Sequence, residues 1–256
     1  MKSFLTALAF LTVFPIQFRQ SPSATVVVQS RFWYPIIGLL LGLVLGGWTE
    51  MVSRLGEPLL QAFFILLAWI GLTGALHVDG FCDLCDGLFG GRTPEDRLRI
   101  MKDPHLGTFG LVGGVLLLLG KFVALQSVIR GYGSTTSAWL VCAALVISRC
   151  LVLCVAAKAH YPRRDGTGKA LVEATGWSEA GGFAVLAAGI ACSAASYYSA
   201  WAIAVSLFLC PFLAIMLLRW ICQRRLGGIT GDCLGAAIEL CEVICLMSFA
   251  IAKNFV

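Results

Sequence analysis

Long apolar segments that are almost free of charged residues follow one another along most of this chain. The 256 residues are 59% apolar and 13% charged, and the mean hydropathy is +0.87. These values lie far outside those of soluble domains, and about 20 apolar residues in a helix cross a hydrocarbon core of about 30 Å. We therefore predict an all-α, polytopic integral membrane bundle with about seven transmembrane helices. The predicted spans are 33–48, 59–76, 109–129, 138–157, 182–197, 201–219 and 234–252.

A shorter apolar segment, residues 4–15, follows Lys2 near the N terminus. A secretory signal peptide would combine such a segment with a small-residue cleavage site. No clear site of this kind follows, and Pro15 and Phe18 interrupt the apolar pattern. We expect a short retained or re-entrant helix here. No composition shift or repeat divides the chain, so residues 1–256 are expected to form a single membrane domain.

The positive charges predict which ends of the spans face the cytoplasm. Eleven of the 19 Lys and Arg residues lie in three connections, 77–107, 158–180 and 219–233, and two predicted spans separate each connection from the next. All seven aspartates lie in the same three connections. Short loops that are rich in Lys and Arg remain in the cytoplasm. We therefore predict that these connections share the cytoplasmic face of the membrane.

The first connection opens a segment that is rich in acids, since residues 77–110 hold five of the seven aspartates. Asp79, Asp83 and Asp86 are spaced i, i+4 and i+7, which places them on one helix face if the span ending at Leu76 continues as a helix. Neighbouring carboxylates repel unless a cation neutralises them, and an all-oxygen set favours Mg²⁺ or Mn²⁺. A solvated acidic turn is the alternative, but four glycines among the acids favour close approach of a ligand.

Cys82 and Cys85 form a CxxC motif within the acidic segment. A zinc site would need a second pair of ligands, and His77 and His105 do not have a zinc-finger spacing. Most of the other nine cysteines lie in predicted spans, where a thiol behaves as a small apolar group. A cytoplasmic loop is also reducing. We therefore expect neither a zinc site nor structural disulfides.

Basic and Gly-rich segments beside the acids predict phosphate binding. Thr93 followed by Pro94 is a favourable helix start, so we expect a short helix as far as Lys102. The Gly-rich segment 105–110 then enters the next span, and a helix N terminus favours an anion. In the second connection, Arg163, Arg164 and Lys169 lie around two glycines. The preference of basic residues for the cytoplasmic side would explain some of these bases without phosphate binding. The candidate phosphate-binding residues are Lys102, Arg163, Arg164 and Lys169.

Acids also occur at the start of the last span and inside it. Asp232, Glu239 and Glu242 fall on one stripe of the predicted helix. Asp232, at the mouth, is a further candidate metal ligand. Acids within a span are costly and normally face the interior of the bundle. The two glutamates therefore either pair with Arg149 or Lys121, which also lie within spans, or take part in catalysis.

Four motifs in succession give the chain a family resemblance: HVDGFCDLCDGLFGG, MKDPHLGTFG, RRDGTG and GGITGDCLGAAIELCE. Together with the N-terminal FLTALAFLTVFP, they resemble cobalamin synthases, the adenosylcobinamide-GDP ribazoletransferase family, over essentially the whole chain. The resemblance implies an integral membrane enzyme that uses Mg²⁺. Such an enzyme joins adenosylcobinamide-GDP to α-ribazole or its 5′-phosphate and releases GMP. The reaction completes the lower nucleotide loop of the vitamin B12 coenzyme.

The resemblance also implies roles for the residues selected above. Loss of GMP from a pyrophosphate requires neutralisation of its oxygens, which one or two Mg²⁺ ions on the acids would supply. A base must also reach the attacking 3′-hydroxyl of ribazole. The expected metal ligands are Asp79, Asp83, Asp86 and Asp232, and the candidate bases are His77 and then Asp103.

Other membrane proteins also place aspartates and Mg²⁺ at a membrane surface, and another Mg-dependent intramembrane transferase is the alternative function. However, the sequence has no second aspartate-rich motif of the prenyltransferase kind and no DGxxAR motif of the CDP-alcohol phosphotransferases. A transporter would space its acids across the midplane. The expected partners are the two substrates and the lipid bilayer, and not nucleic acid. Either a homo-oligomer or a complex with other pathway enzymes is compatible with the sequence.

Overall fold

The computed structural model describes residues 1–18, 20–196 and 201–252. Throughout these ranges the regular structure is helical and includes no strand, which confirms the predicted all-α class. The twelve α-helices within the described ranges are α1 Lys2–Leu11, α2 Ala24–Ser30, α3 Tyr34–Val52, α4 Pro58–Thr73, α5 Leu76–Gly90, α6 Pro94–Ile100, α7 Thr108–Gly131, α8 Ser134–Ala156, α9 Lys169–Ala174, α10 Trp177–Ser196, α11 Trp201–Leu226 and α12 Gly231–Ala252.

Five helical segments in the described chain are long and apolar enough to cross a membrane. The first joins α2 to α3 through short 3₁₀ turns, and the others belong to α7, α8, α11 and α12. A sixth is present if α4 and α5 are counted as one broken span. The polytopic membrane architecture is confirmed, but the predicted number of seven spans is not. The five segments are Ala24–Leu55, Thr108–Gly131, Ser134–Ala156, Leu207–Leu226 and Gly231–Ala252.

The predicted span 59–76 is interrupted by a sharp bend. Helix α4 ends at Thr73, after which Gly74 and Ala75 adopt left-handed φ angles of 62° and 56°. Helix α5 then leaves at 87° to α4. Glycine adopts a positive φ readily, whereas a residue with a Cβ does so at a cost. The three acids Asp79, Asp83 and Asp86 therefore lie on one helix, as the spacing required, but this helix is a second one that starts at Leu76 in a new direction.

Two further predicted boundaries differ from the structure, and a third lies outside the described residues. The N-terminal helix ends at Leu11 rather than at residue 15, and its 10 residues are too few to cross a bilayer. Helix α11 continues to Leu226, beyond the predicted end at 219. The predicted span 182–197 corresponds to α10, and its last residue lies outside the described residues.

Helix α8 is the centre of the bundle, because every side chain from Leu140 to Ala156 is buried. Helices α3, α10 and α12 pack around it. Helix α3 lies especially close through Gly38 and Gly42. A Cβ at Gly42 would be 2.8 Å from the Cα atom of Cys142. Small residues allow membrane helices to gain close van der Waals contact, so these glycines fix the α3–α8 contact.

Candidate active site

The acidic motif forms helix α5, which packs against α12 on one side and α7 on the other. Part of the predicted connection 77–107 is therefore helical. Two glycines allow α5 and α12 to approach closely. A Cβ at Gly80 would be 3.1 Å from the Cα atom of Asp232, and a Cβ at Gly235 would be 3.3 Å from the Cα atom of His77. This contact places Asp232 beside the acids of α5.

The three acids of α5 differ in their surroundings. Asp79 is exposed, Asp83 is half-buried and Asp86 is buried. Both carboxylate oxygens of Asp86 accept backbone hydrogen bonds, Oδ2 from the N–H of Gly107 at 2.8 Å and Oδ1 from the N–H of Gly110 at 2.7 Å. These N–H groups belong to the unsatisfied donors at the start of α7. The anion at this helix N terminus is thus Asp86, where the sequence suggested an external phosphate.

The two glycines are needed for this contact. A Cβ at either Gly107 or Gly110 would overlap the Asp86 carboxylate. The carboxylate therefore joins α5 directly to the first turn of α7. A negative group at a helix N terminus is also favoured by the helix dipole.

The short helix α6 forms as predicted. The side chain of Thr93 accepts a hydrogen bond from the N–H of Asp96 at 3.1 Å, which is the expected N-cap. Helix α6 ends at Ile100, two residues before Lys102. Arg97 donates a hydrogen bond to the carbonyl of Arg225 at 3.0 Å and so attaches α6 to the end of α11.

A surface groove of 180 Å³ lies between α5 and the turn after α6. It is lined by Asp79 and Asp83 on one side, and by Lys102, Asp103 and His105 on the other. The Oδ1 atom of Asp103 accepts a hydrogen bond from the N–H of His105 at 3.0 Å and lies 2.7 Å from Nδ1 of the same residue. These hydrogen bonds lower the pKa of Asp103. The groove therefore combines several carboxylates with a Lys side chain.

A second cavity, of 170 Å³, lies between α5, α12 and the loop before α9. Its polar side chains include His77, Asp79 and Asp232, and His77 is only 4% exposed. Most of the other walls are apolar or glycine. The structure thus brings His77 next to two of the predicted metal ligands, whereas Asp103 lies on the groove.

The loop between α8 and α9 contributes Arg163 to the site. The Nη2 atom of Arg163 lies 2.8 Å from Oδ2 of Asp232. Burial raises the pKa of the neighbouring Tyr161. The other two bases predicted for this loop contact one another, because Lys169 donates a hydrogen bond to the carbonyl of Arg164 at 2.9 Å. Neither of them lines the groove or the cavity.

Deeper in the bundle, two acids and two bases form a buried ion network. The Nζ atom of Lys121 lies 2.6 Å from a carboxylate oxygen of Glu239 and 2.6 Å from one of Glu242. Arg149 forms an ion pair with Glu242, and the Trp69 ring lies 4.6 Å from Nζ of Lys121. The network balances two negative with two positive charges. This arrangement confirms the pairing alternative for the two glutamates.

The acids near the groove have the donor chemistry of a Mg²⁺ site, since Asp79, Asp83 and Asp232 provide oxygen ligands only. In the part of the chain that the structure describes, however, no three His, Cys, Asp or Glu side chains are close enough together to hold an ion. The thiols of the CxxC motif pack toward α7, where a Cβ at Gly113 or Gly114 would meet Cys85 or Cys82. All eleven cysteines are free, as the sequence analysis expected.

Several residues of the cavity were not selected from the sequence. Phe10 and Leu11 of α1 and Tyr34 of α3 line it, as does Thr167 before α9. Apolar residues in an apolar segment carry no signal for a binding site. Asp86 was selected, but its partners are 21 and 24 residues away, and the only signal for this contact was the pair of glycines at 107 and 110.

Comparison with known proteins shows which family this chain belongs to. A family model described as cobalamin-5-phosphate synthase matches residues 3–250. A protein of Chlorobaculum tepidum is 38% identical over 248 residues, which cover 93% of this chain and 91% of the relative. A protein of Pseudomonas syringae pv. syringae is 37% identical, with 98% of this chain and 100% of the relative covered.

A more distant relative, from Brevibacillus brevis, is 32% identical over 251 residues, which cover 96% of this chain and 97% of that protein. All three relatives are named adenosylcobinamide-GDP ribazoletransferase. No solved structure matches the chain. The match extends over nearly the full length and includes α5, the loop before α9 and the start of α12. The chain therefore belongs to the cobalamin-5-phosphate synthase family.

Proposed function

We propose that this protein transfers the adenosylcobinamide phosphate group of adenosylcobinamide-GDP to α-ribazole or its 5′-phosphate, with release of GMP. The observation that carries the proposal is the meeting of three acids and two bases at one end of the bundle, in a chain of this family. These residues are Asp79, Asp83, Asp232, Lys102 and Arg163.

The bases would bind the pyrophosphate of the donor. Lys102 lines the groove with Asp79 and Asp83, and Arg163 is held beside Asp232. Arginine suits a phosphate because its planar fork donates two parallel hydrogen bonds, whereas lysine acts as a point charge. Arg164 and Lys169 lie farther along the same loop, where they would contact a distal part of the nucleotide.

We propose that Asp79, Asp83 and Asp232 would hold Mg²⁺ together with phosphate oxygens of the donor, because Mg²⁺ is usually bound by one or two carboxylates plus substrate phosphates, and among the described residues these side chains alone do not form an ion site. When bound, the ion would neutralise charge on the pyrophosphate oxygens. The sequence analysis also predicted Asp86 as a ligand. Since both of its oxygens accept hydrogen bonds from α7, we propose that Asp86 instead positions α5 against α7.

The reaction forms one P–O bond and breaks another. The 3′-hydroxyl oxygen of the acceptor attacks the phosphorus that carries the corrinoid, and the bond to the GMP oxygen breaks. We propose that His77 is the base that accepts the proton of this hydroxyl, because His77 lines the cavity together with Asp79 and Asp232. Asp103 is the weaker candidate, because it lines the groove and not the cavity that His77 shares with Asp79 and Asp232.

We place the protein in the bacterial inner membrane with the site facing the cytoplasm. The groove, Arg163 and the start of α12 come from the three connections that are rich in Lys and Arg, and such loops stay in the cytoplasm. Both substrates would then be reached from the cytoplasm.

Purified protein in liposomes tests the proposal directly. With adenosylcobinamide-GDP, α-ribazole and Mg²⁺, we expect GMP and the corrinoid product to appear in equal amounts. EDTA should stop both, and added Mg²⁺ should restore them. If folded protein forms neither product, also with α-ribazole 5′-phosphate as acceptor, the proposed reaction is wrong.

A further inference from the structure

The groove and the cavity share a single residue, Asp79. Its side chain is exposed, and it lines both the 180 Å³ groove and the 170 Å³ cavity. The two spaces are thus neighbours on opposite sides of one carboxylate. A reaction between two bound molecules needs such a meeting point, because the reacting atoms must lie about 3–3.5 Å apart.

The walls of the two spaces differ in chemistry. The groove has acids, a Lys and a His, and its wall is mainly polar. The cavity is lined mainly by apolar side chains, among them Leu11, Val152, Leu171, Leu234 and Ile238, all of which are buried. Charged phosphates therefore suit the groove, whereas a flat apolar group suits the cavity. Binding sites for small molecules are typically apolar with a few polar groups that fix orientation.

The size of the cavity limits what it can hold. Sites for drug-sized ligands measure about 300–1,000 Å³, and this cavity measures 170 Å³. A corrin macrocycle is larger than a drug-sized ligand and cannot enter. A two-ring heteroaromatic base can.

We infer that the cavity binds the aromatic base of the acceptor nucleoside, while the corrinoid donor places its pyrophosphate in the groove. This inference rests on the proposed function. The base lies among the leucines of α9 and α12, and the ribose extends toward Asp79. Its hydroxyl then faces both His77 and the phosphorus atom in the groove. The apolar walls thus select the acceptor, and the charged groove selects the donor.

Substitutions that fill the cavity test this assignment. Leu234→Trp on α12 and Leu171→Trp on α9 each add bulk to a different wall. We expect each to raise the KM for α-ribazole by about tenfold or more, since small changes in an apolar pocket shift discrimination by about 10–200-fold. The KM for adenosylcobinamide-GDP should stay within about twofold of the wild-type value. Ile251→Trp is the matched control, because this residue lies on the same helix as Leu234 but is 58% exposed.

Two outcomes of this comparison would overturn the inference. One is a rise in the donor KM with an unchanged acceptor KM, and the other is an unchanged KM for both substrates in folded, active variants. Both outcomes require product formation and therefore leave the proposed reaction intact. If the wild-type protein formed no product, the proposed reaction itself would be wrong.

A measurement on the wild-type protein avoids any effect of substitutions on folding. Free benzimidazole, a flat two-ring base without a ribose, should compete with α-ribazole and should not compete with adenosylcobinamide-GDP. Competition with the donor, or no inhibition up to the solubility limit, contradicts the assignment.

Discussion

At the scale of single residues, neighbouring carboxylates have different surroundings. Asp83 lines the groove beside Asp79, and neither carboxylate forms an ion pair within 4 Å in the described chain, whereas Asp86 is fully hydrogen-bonded. The same residue type on one helix can therefore serve different purposes. An acid without a fixed partner is available to a cation, while a hydrogen-bonded acid holds the backbone. Substitutions that remove only the charge can separate the two roles.

Asp83→Asn should abolish turnover without unfolding the protein. The amide keeps the size of the side chain but removes a charge that a cation needs. Loss of a group that only hydrogen-bonds a metal ligand lowers metal affinity or activity by about 10–100-fold. Loss of a ligand itself should therefore lower kcat by at least about 100-fold. The rate of GMP release in liposomes measures this kcat. Asp96→Asn, which changes a half-buried acid on α6 with only a long contact to Arg99, is the control. Normal turnover of Asp83→Asn would remove this residue from the metal site.

Asp86→Asn should affect stability more than metal dependence. The amide has a single oxygen, whereas each of the two carboxylate oxygens accepts a hydrogen bond, one from the N–H of Gly107 and one from that of Gly110. One of these two hydrogen bonds is therefore lost. Loss of a helix cap costs about 0.5–2 kcal/mol, which should appear as a lower midpoint of thermal unfolding in detergent. The Mg²⁺ concentration for half-maximal activity should stay unchanged. A large increase in that concentration would instead show that Asp86 is a ligand.

At the scale of helices, close contacts and buried charges hold the elements in place. Lys121 on α7, Arg149 on α8 and two glutamates on α12 connect three helices through ion pairs. Buried ion pairs offset a large desolvation penalty only when every charge has a partner. The network therefore makes the relative placement of these helices sensitive to the loss of any one charge.

Removing one charge of this network should destabilise the fold strongly. Lys121→Met leaves two glutamates with a single arginine, and breaking a buried pair costs about 3–5 kcal/mol. We expect a large fall in the thermal midpoint or in the yield of folded protein. The double variant Lys121→Met with Glu239→Gln restores the balance of charge and should recover part of the loss. If Lys121→Met had the same midpoint as the wild type, the network would not stabilise the bundle.

The sequence predicts some elements well and others poorly, for physical reasons. Thr93 identified the start of α6, because an N-cap depends on local chemistry alone. The partners of Glu239 and Glu242 were also predictable, since few bases lie within the spans. The bend at Gly74 and Ala75 was not, because it lies within an apolar run and Ala has no preference for a positive φ.

At the scale of the whole molecule, the three connections rich in acids and bases come together at one end. The groove, the Arg163–Asp232 ion pair and the start of α7 all lie there. The sequence predicted this convergence from the order of spans and charges. It could not predict the cavity, because the walls come from α1, α3, α5, α8, α9 and α12, which are far apart in the chain.

The predicted orientation can be tested by labelling single cysteines. In a background without the exposed Cys192 and Cys210, Arg164→Cys should react with a membrane-impermeant thiol reagent only from the cytoplasmic side. Arg54→Cys, in the turn after α3, should react only from the opposite side. Both positions are exposed. Labelling with the sides exchanged would reverse the orientation.

The right-angle bend before α5 also determines how deep the acids lie. Where α4 runs across the bilayer, a helix at 87° to it runs along the plane of the membrane. The seven steps along the helix from Asp79 to Asp86 then extend about 10 Å sideways, at about 1.5 Å per residue, while the distance of these residues from the headgroups hardly changes. A substrate that arrives along the membrane surface would meet all of these carboxylates at a single level, without having to descend toward the hydrocarbon.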